Sequence, residues 1–126
     1  GHSLGEYSAM VYGGILELED MKRLGNFRQS LQDSTVTADM VAIKDFVPAA
    51  PAECSAVLSE SLRCFVAPPG TFAGLETKSL EVKKLYTVHG YHSSMMDPIL
   101  PAFKQHLRQY DFKESKIPII SNVDGR

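Results

Sequence analysis

The chain has 126 residues, of which 44% are hydrophobic, and this is enough for one modest globular domain. Thirteen Lys and Arg residues against 15 Asp and Glu residues give a formal net charge of -2, without any block of like charge. We therefore expect neither a nucleic-acid-binding groove nor a polybasic membrane-binding patch. Cys54 and Cys64 have no metal-ligand spacing, so we expect reduced thiols and no metal.

Targeting signals are not visible in the sequence. It has neither an apolar run of membrane length nor a charged-then-apolar leader. We therefore expect a cytoplasmic protein that binds neither membrane nor nucleic acid.

Secondary structure is predicted from apolar spacing, turn residues and helix-end signals taken in chain order. The chain opens on GHSLGEYSAM, where two glycines flank a serine in the pattern G-x-S-x-G. The predicted helices span 6–12, 18–31, 52–62 and 98–110. The predicted strands span 40–43, 64–67, 81–88 and 117–120. Helices flank a strand-rich middle, which indicates an α/β protein with a small inserted subdomain between about 38 and 88.

Ser3 is the first candidate for chemistry. Its glycine neighbours permit a tight turn, and the helix that follows directs free N–H groups toward a developing oxyanion. The natural oxyanion donor is the backbone N–H of Leu4. A serine that simply caps a helix would produce the same pattern, so G-x-S-x-G alone does not decide the role of Ser3.

A nucleophilic serine needs a base, and the sequence offers four histidines. His2 adjoins the serine and leaves the turn in a different direction, whereas His106 lies in a predicted helix as a solvated residue. His89 and His92 follow a predicted strand, where α/β folds collect active-site groups. On sequence grounds either of these two could be the base.

Arg28 lies beside the apolar stripe of the predicted helix over 18–31. An arginine at such an edge usually extends to water or pairs with a carboxylate. Its functional alternative is to bind a substrate carboxylate in bidentate fashion, the geometry that a guanidinium suits best.

Taken together, these motifs resemble the malonyl-CoA:acyl carrier protein transacylases and the acyltransferase domains of type I polyketide and fatty acid synthases. GHSLGEYSA is similar to the nucleophile motif of that family, and Arg28 follows Ser3 by 25 residues, as does the family's carboxylate-binding arginine. The stretch HGYH resembles a four-residue signature whose last member is the catalytic histidine, which matches His92. The resemblance covers essentially the whole chain.

For the fold, the resemblance implies a fragment of an α/β-hydrolase-like acyltransferase core with an inserted ferredoxin-like small subdomain. Residues 1–37 and 89–126 would belong to the large subdomain, and 38–88 would form the small one in shortened form. A nucleophile elbow needs a strand before the serine. We therefore expect the sequence to be the middle of a larger acyltransferase domain, cut just before its nucleophile.

For the chemistry, the resemblance implies a ping-pong transfer without a bound cofactor. Ser3, activated by His92, would attack the thioester of malonyl-CoA while the Leu4 amide holds the oxyanion. Arg28 would pair with the malonyl carboxylate. The acyl group would then pass to the phosphopantetheine thiol of an acyl carrier protein. A ketosynthase and other modules of the same polypeptide are further partners that the resemblance allows.

Acyl selectivity is implied by the same signature, His89-Gly90-Tyr91-His92, together with Leu4. In the family, an aromatic third residue goes with malonyl and a serine there goes with methylmalonyl. Tyr91, and Leu4 in place of glutamine, therefore imply malonyl, whereas Gly90 departs from the usual alanine. The alternatives are a serine esterase or thioesterase of the α/β-hydrolase type, which gives no account of Arg28, and an inactive fragment.

Overall fold

The computed structural model describes residues 1–75 and 81–125. They form two compact units, which we call the elbow unit (1–30 with 101–126) and the sheet unit (31–100). The predicted boundaries at 37/38 and 88/89 stay a prediction. None of the helices in these described residues is long and apolar enough to cross a membrane.

The helices and strands alternate along the chain much as the apolar spacing indicates. The helices are α1 (Leu4–Tyr12), α2 (Leu18–Asp33), a 3₁₀ helix (Ser94–Ile99) and α3 (Leu100–Leu107). The strands are β1 (Asp39–Lys44), β2 (Glu53–Val57), β3 (Leu62–Ala67) and β4 (Val82–Leu85). The predictions over 6–12, 18–31, 40–43 and 64–67 are confirmed. Those over 81–88 and 98–110 hold in part, because β4 is shorter and the helical stretch begins as a 3₁₀ turn.

The sheet unit contains an antiparallel four-stranded sheet in the order β2-β3-β1-β4. Strand β1 is central and buried on both faces, which is why it reads as a continuous apolar run. Val41 and Ile43 pack on one face with Phe65, and Met40 packs on the other with Val66. The mixed architecture of helices and strands is thus established, and the ferredoxin-like detail stays a prediction.

The elbow unit has a much smaller core. Among its described residues, Leu16 and Leu24 are the buried apolar side chains. Beside Leu24 lies a mainly apolar cavity of about 460 Å³. Its lining residues are Glu6, Tyr7, Met10, Leu24, Phe103, Leu107, Phe112, Ile119 and Ser121. Fewer apolar side chains are therefore buried in this unit than in the sheet unit.

The predicted helix over 52–62 is wrong, because this segment forms β2 and a tight turn into β3. Ser59 Oγ accepts a hydrogen bond from the Leu62 N–H at 3.1 Å, and the Leu58 N–H donates to the Leu62 carbonyl at 2.9 Å. Serine side chains compete for backbone groups in this way and favour turns over helix interiors. The serine-rich stretch thus closes a hairpin.

The predicted strand over 117–120 is also wrong, because the backbone just before it bonds to a turn and not to a described strand. The Lys113 N–H donates to the Ile15 carbonyl at 3.0 Å, and the Lys116 N–H donates to the Gly13 carbonyl at 2.8 Å. Pro118 removes one ladder donor as well. A separate correction concerns His106, which is half-buried and stacked on Phe27 instead of solvated.

Candidate active site

The turn at Ser3 has an unusual backbone conformation. Its φ of 52° and ψ of -112° lie in a sparsely populated region that a residue other than glycine adopts only when its surroundings impose it. The Ser3 side chain makes no capping hydrogen bond to α1. The capping explanation of this serine is therefore wrong. A strained serine directly before a helix is the geometry of a nucleophile elbow.

Gly1 explains why the pattern begins with glycine. A Cβ atom placed on Gly1 would lie 2.4 Å from the Gly5 carbonyl oxygen and 2.5 Å from its carbon. Both are backbone atoms that cannot rotate away. A Cβ on Gly5 would meet nothing within 4 Å. The close approach of the backbone across the turn thus requires glycine at position 1 and not at position 5.

A residue that the sequence did not single out holds this turn. Asn122 Oδ1 accepts a hydrogen bond from the Ser3 N–H at 2.9 Å, and Asn122 Nδ2 donates to the Gly1 carbonyl at 2.9 Å. The Asn122 N–H in turn donates to Glu6 Oε1 at 2.8 Å. We call these three hydrogen bonds the Asn122 bridge. The bridge spans 119 residues of sequence, so no local signal could have indicated it.

Leu4 opens α1 directly after the strained serine. The hydrogen bonds of the first turn begin with the Gly5 N–H, which donates to the His2 carbonyl at 2.8 Å. The Glu6 N–H follows and donates to the Ser3 carbonyl at 3.0 Å. The Leu4 N–H precedes both at the first helical position, where amides point out of the helix end. Its position suits an oxyanion donor.

Arg28 belongs to the elbow unit through α2 and lies against α1. Its Cζ is 5.1 Å from the centre of the Tyr7 ring, within the range of a cation–π contact. Tyr7 follows Ser3 by four residues, about one helical turn. The aromatic ring therefore fixes the guanidinium beside the first half of α1, and the side chain is half-buried.

His89 is a buried residue of the sheet unit, with 8% of its surface exposed. Its Nδ1 lies 3.3 Å from Thr35 Oγ1, and its Nε2 lies 3.8 Å from Asp33 Oδ1. The ring of Tyr91 meets it edge-on. Both ring nitrogens thus face side chains of the same unit, which is the environment of a histidine that supports a loop.

His92 contrasts with His89, because its side chain is exposed and its backbone φ is 58°. The loop around it is tied at several points. The Tyr91 N–H donates to the His89 carbonyl at 3.0 Å, and the Ser93 hydroxyl donates to the Gly90 carbonyl at 2.6 Å. The loop therefore presents His92 outward in a fixed conformation.

A carboxylate from β2 secures the end of this loop. Glu53 accepts a hydrogen bond from the Ser94 hydroxyl at 2.5 Å and another from the Ser94 N–H at 2.9 Å. These two bonds, the hydroxyl one first, lower the pKa of the Glu53 carboxyl below its usual value. The start of the 3₁₀ helix is thus anchored to the sheet by an ionised group.

Gly90 and Tyr91 are packed against the sheet. Tyr91 and Met95 lie on the cluster formed by Met40 and Val66. A Cβ atom on Gly90 would approach Met95 Sδ to 2.6 Å and Met95 Cβ to 3.0 Å. The glycine that replaces the usual alanine of the signature therefore makes room for Met95.

Comparison with known proteins shows what the chain is similar to. No protein-family model matches the chain. Over 99% of its length it is 31% identical to a non-reducing polyketide synthase of Aspergillus flavus. Its structure superposes on the malonyl-CoA:acyl carrier protein transacylase of Burkholderia pseudomallei with a TM-score of 0.89, 25% identity and coverage of 98% of the chain. The chain is therefore similar in sequence to polyketide synthases and in structure to malonyl-CoA:acyl carrier protein transacylases.

The chain covers only part of the length of each of these proteins. The chain spans 7% of the fungal synthase and 48% of the Burkholderia transacylase. A malonyl-transacylase solved in complex with a type II acyl carrier protein shares the fold, with a TM-score of 0.86 at 20% identity. The chain covers 47% of that protein. The arrangement of helices and strands therefore matches the fold of an acyltransferase domain.

Within this chain, the predicted site residues divide between the two units. The elbow unit carries Ser3, Leu4 and Arg28. The sheet unit carries the HGYH signature, residues 89–92, on a single loop. The residues that sequence reasoning missed are Asn122, Glu6 as a hydrogen-bond acceptor, and Glu53.

Proposed function

We propose that the chain carries acyl-transfer chemistry, moving a malonyl group from CoA to the phosphopantetheine thiol of an acyl carrier protein in polyketide or fatty acid biosynthesis. The observation that carries the proposal is the backbone of Ser3, whose φ of 52° immediately before α1 is that of a nucleophile elbow. Similarity to polyketide synthases and to a malonyl-CoA:acyl carrier protein transacylase supports the choice of acyl transfer over other uses of a strained serine.

In the first half-reaction, the Ser3 hydroxyl attacks the thioester carbonyl of malonyl-CoA, and His92 takes the hydroxyl proton. The Leu4 N–H donates to the oxyanion of the tetrahedral intermediate. When this intermediate collapses, the C–S bond breaks and His92 gives its proton to the departing CoA sulfur. The products are free CoA and a malonyl ester of Ser3.

In the second half-reaction, the phosphopantetheine thiol of the carrier protein gives its proton to His92 and attacks the ester carbonyl. The C–O bond to Ser3 breaks, and the serine oxygen recovers the proton from His92. Assignment of the base to His92 is supported by its exposure, since His89 is buried against Thr35 and Asp33. The mechanism requires His92 to reach the Ser3 hydroxyl within about 3 Å.

Selectivity for malonyl follows from Arg28 in this proposal. A guanidinium binds a carboxylate through two parallel hydrogen bonds, and Tyr7 holds it in place for that purpose. An acetyl group would leave the half-buried charge without its partner. Leu4, with the HGYH loop of residues 89–92, completes the proposed selectivity for malonyl over substituted malonyl groups.

The proposed partners are an acyl carrier protein and acyl-CoA, with a ketosynthase and other modules where the chain is part of a synthase. The fold relative that was solved with a type II carrier protein supports the first of these. We also propose a cytoplasmic location, because Cys54 and Cys64 are expected to be reduced thiols.

Substitution of Arg28 tests the proposal. In Arg28→Ala, malonyl transfer should fall by at least about a hundredfold, since two hydrogen bonds to a charged group are lost and each is worth roughly 1.5–3 kcal/mol. Transfer from acetyl-CoA should hold or rise. The matched control is Arg23→Ala on the same helix, because Arg23 is exposed and pairs with Asp20. Mass spectrometry of acylated Ser3 and of loaded carrier protein measures both.

Other outcomes separate the alternatives. Equal loss of malonyl and acetyl transfer in Arg28→Ala would contradict the carboxylate-binding role. Release of free malonate or other acids without transfer would favour the serine esterase or thioesterase. If the unchanged 126-residue chain forms no acyl-serine at all, the inactive fragment is the correct reading.

A further inference from the structure

We propose that Asn122 is a positioning residue for the nucleophile, holding Ser3 in its strained conformation through the Asn122 bridge. The inference rests on the proposed role of Ser3 as a nucleophile. It assigns a function in acyl transfer to a residue whose carboxamide bonds to the backbone of the turn. Three hydrogen bonds join the turn 121–125 to the start of the chain.

The carboxamide of Asn122 spans the peptide groups around His2. Its oxygen faces the Ser3 N–H and its nitrogen faces the Gly1 carbonyl, each at 2.9 Å. These partners fix the orientation of the amide, because an N–H must meet the oxygen and a C=O must meet the NH₂ group. A single side-chain amide thus joins the peptide groups on either side of His2.

Glu6 ties the bridge to α1. Its carboxylate accepts the Asn122 N–H at 2.8 Å, while its own N–H donates to the Ser3 carbonyl at 3.0 Å. Ser3 is therefore held on its N–H side by Asn122 and on its carbonyl side by Glu6. The two anchors are themselves joined, so the hydrogen bonds form a closed ring around the turn.

This ring has a consequence for catalysis. A residue with φ of 52° and ψ of -112° costs about 1–3 kcal/mol relative to a relaxed conformation and persists only when its surroundings over-determine it. If the ring opens, the backbone can relax, and both the Ser3 oxygen and the Leu4 N–H change direction. A shift of about 1 Å in such groups can cost about a hundredfold in rate.

The test measures how fast Ser3 reacts with a fluorophosphonate probe, which reports the nucleophile without requiring malonyl specificity. Asn122→Ala removes both side-chain bonds of the ring, and Asn122→Asp keeps the acceptor for Ser3 but loses the donor to Gly1. The matched control is Ser121→Ala in the same turn. The Ser121 hydroxyl accepts from the Val123 N–H at 3.0 Å and contacts no residue of the elbow through that bond.

We expect the rate constant for labelling to fall about ten- to a hundredfold in Asn122→Ala and by less in Asn122→Asp. Ser121→Ala should stay within about threefold of the unchanged chain. The final labelled fraction separates the roles, because loss of folded protein lowers that fraction while loss of positioning lowers the rate constant. If Asn122→Ala does not fold by circular dichroism, Asn122→Asp decides.

Two outcomes overturn the inference: an unchanged rate constant in both Asn122 variants, or a lower labelled fraction with an unchanged rate constant. The proposed function can fail independently. A chain whose Ser3 reacts with the probe but transfers no malonyl would refute malonyl transfer. The Asn122 result would still stand, because the probe needs only a positioned serine.

Discussion

The elbow at Ser3 and the loop at His92 each hold one residue in an unfavourable backbone conformation, but through different contacts. Each places a residue other than glycine at positive φ, 52° for Ser3 and 58° for His92. The elbow is held by the neutral amide of Asn122, whereas the end of the His92 loop is held by the ionised carboxylate of Glu53. The two side-chain amide bonds of Asn122 involve no titratable group, whereas both bonds from Ser94 end on a carboxylate.

The two turns also differ in what lies beneath them. The loop packs through Tyr91 and Met95 on a sheet whose strand β1 is buried over its four inner residues. The elbow belongs to a unit in which Leu16 and Leu24 are the buried apolar side chains among the described residues. Geometry at His92 is therefore supported by a packed core, and geometry at Ser3 depends on a few polar contacts.

Truncating one core residue in each unit should reveal the largest contrast. Phe65 is 2% exposed and packed among Val41 and Ile43, so Phe65→Ala should cost about 4 kcal/mol. Leu24 is 1% exposed but borders a cavity, so fewer contacts are lost and Leu24→Ala should cost about 2 kcal/mol. Hydrogen exchange followed by mass spectrometry measures each unit separately.

The expected pattern is loss of protection in the sheet unit for Phe65→Ala and in the elbow unit for Leu24→Ala. A cost for Leu24→Ala equal to or above that for Phe65→Ala would show that the elbow unit is packed as densely as the sheet unit. The elbow at Ser3 would then be supported by its apolar core as well as by polar contacts.

The elbow itself is tested by its two glycines. Gly1→Ala places a methyl group 2.4 Å from the Gly5 carbonyl oxygen, so the first turn of α1 must shift. Fluorophosphonate labelling of Ser3 should slow about a hundredfold. Gly5→Ala is the matched control, because its methyl group meets nothing within 4 Å and alanine favours the helix by about 0.5–1 kcal/mol. Similar losses in both variants would contradict the steric account.

The contrast between local and distant contacts also explains what the sequence could predict. Ser3 and Arg28 are predicted from signals within a short stretch of sequence: a glycine pattern around a helix start, and an arginine at the spacing that the family resemblance implies. The helix over 18–31 was predicted for the same reason. Periodicity within one element needs no knowledge of what packs against it.

Asn122 and β2 could not be predicted in this way. Asn122 acts on residues 119 positions earlier, and nothing in its neighbourhood distinguishes it from any other asparagine in a turn. The segment Glu53–Val57 is an edge strand whose pairing with β3 is a tertiary effect, and pairing overrides a weak helical spacing. Both depend on contacts that form only in the folded chain.

Acid should weaken the His92 loop, and this is the smallest effect that we expect. Glu53 has a lowered pKa because it accepts two hydrogen bonds from Ser94, so its charged form is favoured in the folded state. The resulting stabilisation is complete above the unfolded pKa, near 4.5, and is lost as the pH falls through the lower folded pKa. Solvent exposure keeps the magnitude small.

Glu53→Gln should therefore remove part of the acid sensitivity of the chain. Between pH 7 and pH 3, its melting temperature should fall less steeply than that of the unchanged protein, with the difference concentrated below pH 4.5, the ordinary pKa of this carboxyl. Glu60→Gln, in the turn after β2, is the matched control and should follow the unchanged slope. Parallel slopes for all three proteins would mean that the carboxylate does not hold the loop. The exposed His92 would then owe its conformation to the packing of Tyr91 and Met95 alone.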